Sequence, residues 1–206
     1  MQNVLKRILT VLLMSLSLAA ANAADGPVQV HMQTTAGAIV VELYPDKAPQ
    51  TVANFLRYVD GGHYNGASFY RTVTFENDNG KPWIEVVQGG LDTSSPPFAP
   101  IAHESTAKTG LRHENGTISM GRDGVGTASS EFFICVGPQP ALNHGAMRNE
   151  DGQGFSAFGK VIAGMDTVRR IHGSEADGEA ESDYFAGQIL SEPVSIISVR
   201  RVATDN

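Results

Sequence analysis

Disulfide pairs, clustered metal ligands and a hydrolase motif are all missing from this chain. Cys135 is its single cysteine, so no intrachain disulfide can staple the fold. It lies inside Phe132-Phe133-Ile134-Cys135-Val136, which reads as a buried strand, and no basic neighbour in sequence would activate its thiol. The histidines, His31, His63, His103, His113, His144 and His172, never stand at the three-to-five spacing of a metal pair, so no metal site is expected. No Gly-x-Ser-x-Gly elbow occurs, and Ser68, Ser129 and Ser130 read as loop or strand hydroxyls rather than nucleophiles. Basic residues are scarce, 15 against 22 acids for a net charge of −7. That balance argues against nucleic-acid binding, which depends on Lys and Arg neutralising phosphate. It suits a soluble monomer.

Long apolar runs are confined to the N-terminus. Lys6 and Arg7 precede the apolar stretch Ile8–Ala21, and Ala21-Asn22-Ala23 supplies the small residues of a cleavage site. At about 14 residues the run is short of the ~20 that a spanning helix needs. The expectation is a secretory signal over residues 1–23, cleaved after Ala23, with a single domain over residues 24–206 and no stable membrane insertion after cleavage. Export of this kind fits a Gram-negative periplasm.

The rest of the chain reads as short strands. Val28–Thr35 alternates apolar and polar residues, turns at Thr35-Ala36-Gly37 and continues as Ala38–Tyr44, a hairpin. Ala48–Gly61 changes period: Val52, Phe55, Leu56 and Val59 mark one helix face, with Pro49 in the first turn. Further strands are expected at Phe69–Val73, Trp83–Gln88, Thr117–Met120, Phe132–Val136, Phe155–Ile162 and Val194–Val202, with a second short helix around Met165–Ile171. Leu91–Gly110 reads as irregular. Hairpins dominate the order, which argues an antiparallel barrel or sandwich with helices covering its ends.

Several motifs have plain readings. Gly121-x-x-Gly124-x-Gly126 is followed by a strand, whereas a dinucleotide fingerprint opens a helix, so no cofactor is expected. Asn115-Gly116-Thr117 matches a glycosylation sequon but reads better as a turn. The five acids of Ser174–Asp183 lack calcium-loop spacing and read as a solvated loop. Phe69–Gly90 is different. Arg71 leaves one apolar segment and Gln88-Gly89-Gly90 ends another, with the polar insert Thr74–Pro82 between them. The expectation is that Arg71 and Gln88 face each other across a groove.

The same residues resemble the cyclophilin family of peptidyl-prolyl isomerases, in several parts and in order. Phe69-Tyr70-Arg71-Thr72 and Gln88-Gly89-Gly90-Leu91-Asp92 are similar to its Phe-His-Arg-Val and Gln-Gly-Gly-Asp. Gly116-Thr117-Ile118-Ser119-Met120-Gly121 resembles its Gly-x-x-Ser-Met-Ala loop. Ser130-Glu131-Phe132-Phe133-Ile134 resembles Ser-Gln-Phe-Phe-Ile, and Ala157-Phe158-Gly159-Lys160-Val161 resembles Val-Phe-Gly-Lys-Val. The resemblance spans Val28 to Val202. It implies a mainly β fold, an eight-stranded antiparallel closed barrel capped by two α-helices. It also implies isomerisation of X-Pro bonds in proline-containing polypeptides, with Arg71 catalytic. Phe133 would be the floor of the proline pocket, flanked by Leu142 and Met120. Gln88 would bind peptide backbone, and the main chain at Gly121 and Arg122 the residue before proline.

This chain departs from the family pattern at several of these positions. Ile84 or Val86 stands where the family has Phe before the Gln, Glu131 replaces Gln, and Phe155 replaces a pocket His. Ala141-Leu142 replaces Trp-Leu, which implies weak cyclosporin binding. Gly121-Arg122-Asp123 replaces Ala-Asn-Ala and would put a charge on the peptide path. The rival to an enzyme is a cyclophilin-like peptide-binding chaperone with little isomerase activity.

Overall fold

The computed structural model describes residues 26–203; the expected signal over residues 1–23 lies outside them. Eight antiparallel strands close into a barrel: β1 (Val28–Thr34), β2 (Gly37–Leu43), β3 (Ser68–Val73), β4 (Val86–Gly90), β5 (Thr117–Met120), β6 (Phe132–Cys135), β7 (Ala157–Ala163) and β8 (Ile189–Arg201). Around the barrel they run β1-β2-β7-β5-β6-β4-β3-β8, with β8 returning to β1. Closure leaves no sheet edge exposed to another chain.

Strand alternation fills the barrel. Val30 and Met32 of β1 point inward with Ile39, Val41 and Leu43 of β2, all fully buried. The β1–β2 turn is two residues long, Thr34 pairing with Gly37. Gly37 has φ +134°, and a Cβ there would come within 2.7 Å of Thr167 Oγ1, so only glycine fits.

The helix α1 (Pro49–Asp60) starts on Pro49 and lays Val52, Phe55, Leu56 and Val59 over one barrel end. Phe55 meets Tyr64, Phe132 and Phe158 at ring separations of 5.2–5.6 Å. Full burial of such a side chain contributes ~1.5–3 kcal/mol. Asn54, on the less apolar side of this helix, is buried too. Its Nδ2 donates to Ser129 O at 2.6 Å and so ties α1 to the loop after β5.

Beyond the two helices expected from sequence, the one-turn α2 (Thr106–Thr109) interrupts the stretch that reads as irregular; four residues carry no periodicity to read. The other helix, α3 (Met165–His172), buries Val168 and Ile171. Strand β4 starts at Val86 rather than Trp83, and Trp83 is exposed. Strand β8 starts five residues earlier than Val194, because Glu192 and Pro193 break its apolar pattern without breaking the strand. No described helix is long and apolar enough to cross a membrane.

Candidate functional site

The site lies on the outer face of β3, β4 and β6. Phe132 and Ile134 of β6 point into the barrel, so Phe133 and Cys135 point out. There Phe133 packs in a second apolar cluster with Val73, Ile84, Val86, Cys135 and Leu142, while Ala141 and Phe155 pack against it half-buried. Burial pushes the Cys135 thiol well above its ordinary pKa, which keeps it an inert packing group.

A β-bulge brings the polar side chains to this cluster. Phe69 pairs with Gly89 and Arg71 with Gln88, leaving Tyr70 as the extra residue of β3. Phe69 therefore stays in the core while Tyr70 and Arg71 both reach the Gln88 amide. Gly89 is required at the bulge, since a Cβ would sit 2.6 Å from Ser68 O. Arg71 and Gln88 thus do not oppose each other across the groove. They are strand partners side by side on one wall, Arg71 Nη1 donating to Gln88 Oε1 at 2.8 Å.

Arg71 is largely buried and meets neutral oxygens only. Its Nε and Nη2 both donate to Gln188 Oε1, at 3.0 and 2.6 Å. The Phe185 ring lies 4.7 Å from the guanidinium carbon and Tyr184 5.7 Å. Burial pulls its pKa down from the ordinary arginine value, with nearby tyrosines opposing that shift. No acid forms a salt bridge with it among the described residues. Its charge is held in place by amides and left uncompensated at the groove wall.

The segment that covers Arg71 is secured by the Thr74–Pro82 insert. Asn77 Nδ2 donates to Gly187 O at 2.8 Å and Asn79 Nδ2 to Ala186 O at 2.9 Å. Gln188 Nε2 donates to Asn77 O at 2.8 Å. Inside the insert, Asp78 takes both ends of the Arg148 guanidinium at 2.8 Å, with both side chains buried. Arg148 in turn donates to the Tyr184 hydroxyl at 3.0 Å.

Arg71, Gln88, Phe133, Val86, Ile84 and Leu142 line one groove of about 500 Å³, with Phe155, Gly121 and Arg122 along it. Both candidates for the position before Gln88, Ile84 and Val86, are lining residues. Phe155 stands edge-on to Phe133 at 5.3 Å and walls the apolar cup. Beneath the cup, His113 stacks on Phe133 at 6.0 Å; its ring nitrogens meet Asn143 Oδ1 at 2.9 Å and Ser119 Oγ at 3.0 Å. Burial lowers the His113 pKa to about 4, so the ring is neutral at pH 7.

Two further expectations need correction. Met120 does not flank the cup. It pairs with Phe132 and points into the barrel core, and its outward neighbour on that strand, opposite Phe133, is Ser119. Arg122 does not present an open charge. Its guanidinium donates to both Asp151 oxygens, at 2.7 and 2.9 Å, and to Gly154 O. Those hydrogen bonds hold the Asp151 carboxyl down at about 2.

Gln188, Phe185, Tyr184, Arg148 and His113 had no local signature. Each joins the site through contacts with residues distant in sequence, except that His113 lies close before β5.

A groove of this kind offers a rigid apolar cup beside a fixed cation and an amide, suited to binding a peptide and polarising one of its atoms. Comparison with known proteins places the chain in a family. The family model for cyclophilin type peptidyl-prolyl cis-trans isomerase/CLD matches residues 29–200. Peptidyl-prolyl cis-trans isomerase A of Dickeya dadantii is 36% identical over 95% of this chain and 97% of its own. Peptidyl-prolyl cis-trans isomerase B of Escherichia coli is 35% identical over 70% of this chain and 84% of its own. In fold, a Cryptosporidium parvum cyclophilin type peptidyl-prolyl cis-trans isomerase, solved in the presence of the dipeptide Ala-Pro, matches with TM-score 0.66 at 19% identity, covering 85% of this chain and 99% of its own. The chain belongs to the cyclophilin-type peptidyl-prolyl cis-trans isomerases.

Proposed function

We propose that this isomerase acts by Arg71-assisted weakening of amide resonance over an apolar proline cup. Rotation about an X-Pro bond meets a barrier of ~18–20 kcal/mol because the C–N bond has partial double-bond character. In the twisted amide the prolyl nitrogen regains its lone pair and becomes a hydrogen-bond acceptor. A guanidinium aimed at that nitrogen interacts with the twisted state more strongly than with either planar one, which is what lowers a barrier. No nucleophile or proton transfer is needed.

Phe133 forms the floor for the proline ring, with Leu142, Val86, Ile84 and Phe155 around it. The ring stays seated while the preceding carbonyl swings. Gln88 hydrogen-bonds the peptide backbone beside the ring, and the main chain at Gly121 and Arg122 carries the residue before proline. The observation that carries this reading is the pairing of Arg71 with two neutral amide oxygens beside the Phe133 cup. A carboxylate partner would have spent the charge; amides aim it and leave it available.

Substrates are proline-containing segments of folding or unfolded exported proteins, met by a monomer in the periplasm. The signal-like residues 1–23 support that setting. Cyclosporin binding is weak, since Ala141 offers no indole to that ligand. The test is a protease-coupled assay on an X-Pro peptide with the chain from Ala24 onward. Acceleration above the uncatalysed rate that is lost in Arg71→Ala is the expected result. Full activity in Arg71→Ala would remove Arg71 from the mechanism.

A further inference from the structure

We propose that Tyr70 and Glu131 are positioning residues, which lock the Gln88 amide with its oxygen on Arg71; this rests on the reading of Arg71 given above. The geometry is a four-member hydrogen-bonded relay. Arg71 Nη1 donates to Gln88 Oε1 at 2.8 Å, Gln88 Nε2 donates to the Tyr70 hydroxyl at 2.8 Å, and that hydroxyl donates to Glu131 Oε2 at 2.6 Å.

Donor and acceptor inventory gives the relay one polarity. Arginine only donates, so the amide must turn its oxygen to Arg71. Its nitrogen then needs an acceptor, which the Tyr70 oxygen supplies. The tyrosine has one proton, and Glu131 accepts it: burial pushes the Glu131 carboxyl up, but Tyr70, Ser130 and the Asp92 amide all donate to it and favour the carboxylate. Burial and the Glu131 charge both push Tyr70 far above its ordinary pKa, so the hydroxyl keeps that proton. The relay therefore runs from a cation to an anion with every bond pointing the same way. Such chains polarise one another and reinforce.

Glu131 is itself anchored. Its Oε1 accepts from Ser130 Oγ at 3.0 Å and from the Asp92 amide at 3.1 Å. Gly90 clears the space, since a Cβ there would meet both carboxylate oxygens at 2.5 Å. Tyr70 is the bulge residue of β3, so the same backbone irregularity that turns Arg71 outward also inserts this tyrosine. Tyr70 and Glu131 are two of the positions at which the chain departs from the Phe-His-Arg and Ser-Gln-Phe-Phe patterns. Here the two departures touch. With glutamine at position 131 either end of the amide could face the tyrosine, and the polarity would no longer be imposed.

A double-mutant cycle on kcat/KM tests this. Tyr70→Phe is expected to lose about tenfold in the Gln88 background and less than about twofold in the Gln88→Ala background, because its action passes through Gln88. Equal losses in the two backgrounds, or no loss with Gln88 present, would overturn the proposal. NMR of the Gln88 side-chain amide reads the relay without reference to catalysis. The two Nε2 protons should be further apart in shift than those of a free glutamine amide in wild type and in Arg71→Ala, and should return toward the free-amide separation in Tyr70→Phe and Glu131→Leu. No change in Tyr70→Phe or Glu131→Leu would also overturn the proposal. An inactive wild type whose amide still responds to Tyr70→Phe would instead count against the Arg71 mechanism, leaving the relay as geometry.

Discussion

Gln188 Oε1 accepts two hydrogen bonds from the Arg71 guanidinium, from 117 residues further along the chain, and neither partner is more than marginally exposed. This contact aims the cation. Replacing the amide with an apolar side chain of similar size, Gln188→Leu, orphans two buried N–H groups. The expected cost is roughly 1–3 kcal/mol in urea unfolding, together with about a tenfold fall in kcat/KM as Arg71 loses its aim. A loss of stability with full activity would show that Gln88 alone suffices to hold Arg71.

The insert should behave as a brace for that contact. Asp78 and Arg148 are buried and bonded at both ends. Arg148→Met leaves Asp78 as a buried, partly uncompensated carboxylate, and breaking such a pair costs ~3–5 kcal/mol. Hydrogen exchange should report the loss first in residues 77–80 and 183–188, which this bridge joins. The double variant Asp78→Leu/Arg148→Met should recover part of the stability. Unchanged exchange in 183–188 would separate the insert from the Arg71 support.

Acid should loosen the floor of the cup. His113 has its pKa lowered to about 4 by burial, against 6.5 when unfolded. The unfolded chain therefore binds the extra proton first. This contribution to stability is present above pH 6.5 and is lost progressively as pH falls to about 4. At 1.36 kcal/mol per unit the full span is of order 3 kcal/mol. Urea unfolding of wild type and His113→Gln across pH 4 to 7 checks it. The wild-type slope over this window should be steeper than that of the variant, and parallel curves would show that other groups carry the acid response.

The cup should be worth more to the reaction than to the fold. Phe133→Ala removes the floor between His113 and Phe155. A phenylalanine deletion in a core costs ~3–5 kcal/mol; here the groove is open on one side, so the lower end applies. Exchange on an X-Pro peptide should fall by at least about a hundredfold through loss of proline binding. A variant that keeps its KM would place the proline ring elsewhere.

Much of this was legible in sequence because it is local. Eight short apolar segments bounded by turn residues, the first of them cleanly alternating, matched the eight strands, and the dominance of hairpins pointed to antiparallel pairing. Arg71 and Gln88 stood out as polar ends of two apolar segments, and their roles, like that of Phe133, came from the resemblance to the family rather than from periodicity. Met120 was misread because neighbours on a strand point opposite ways, and Ser119, not Met120, shares the face of Phe133. The tilt of Arg71 toward Gln88 depends on a bulge, which inserts one residue and leaves no compositional mark. Gln188 and Arg148 were hidden because their partners lie 117 and 70 residues away. The polar insert carried the signature of a loop, and only its folded contacts make it a bracket for Arg71.

If the Arg71 guanidinium, aimed by amides and not neutralised, lowers the barrier to X-Pro rotation, removing it must slow exchange on the enzyme. NMR exchange spectroscopy on a proline peptide, with wild type, Arg71→Lys and Arg71→Ala, measures that barrier without a coupling protease. Wild type should accelerate exchange, Arg71→Ala should lose roughly 10²–10³-fold, and Arg71→Lys should fall between them because an ammonium cannot reproduce the forked contacts to Gln88 and Gln188. Wild-type exchange rates in Arg71→Ala would show that the guanidinium does not lower the barrier.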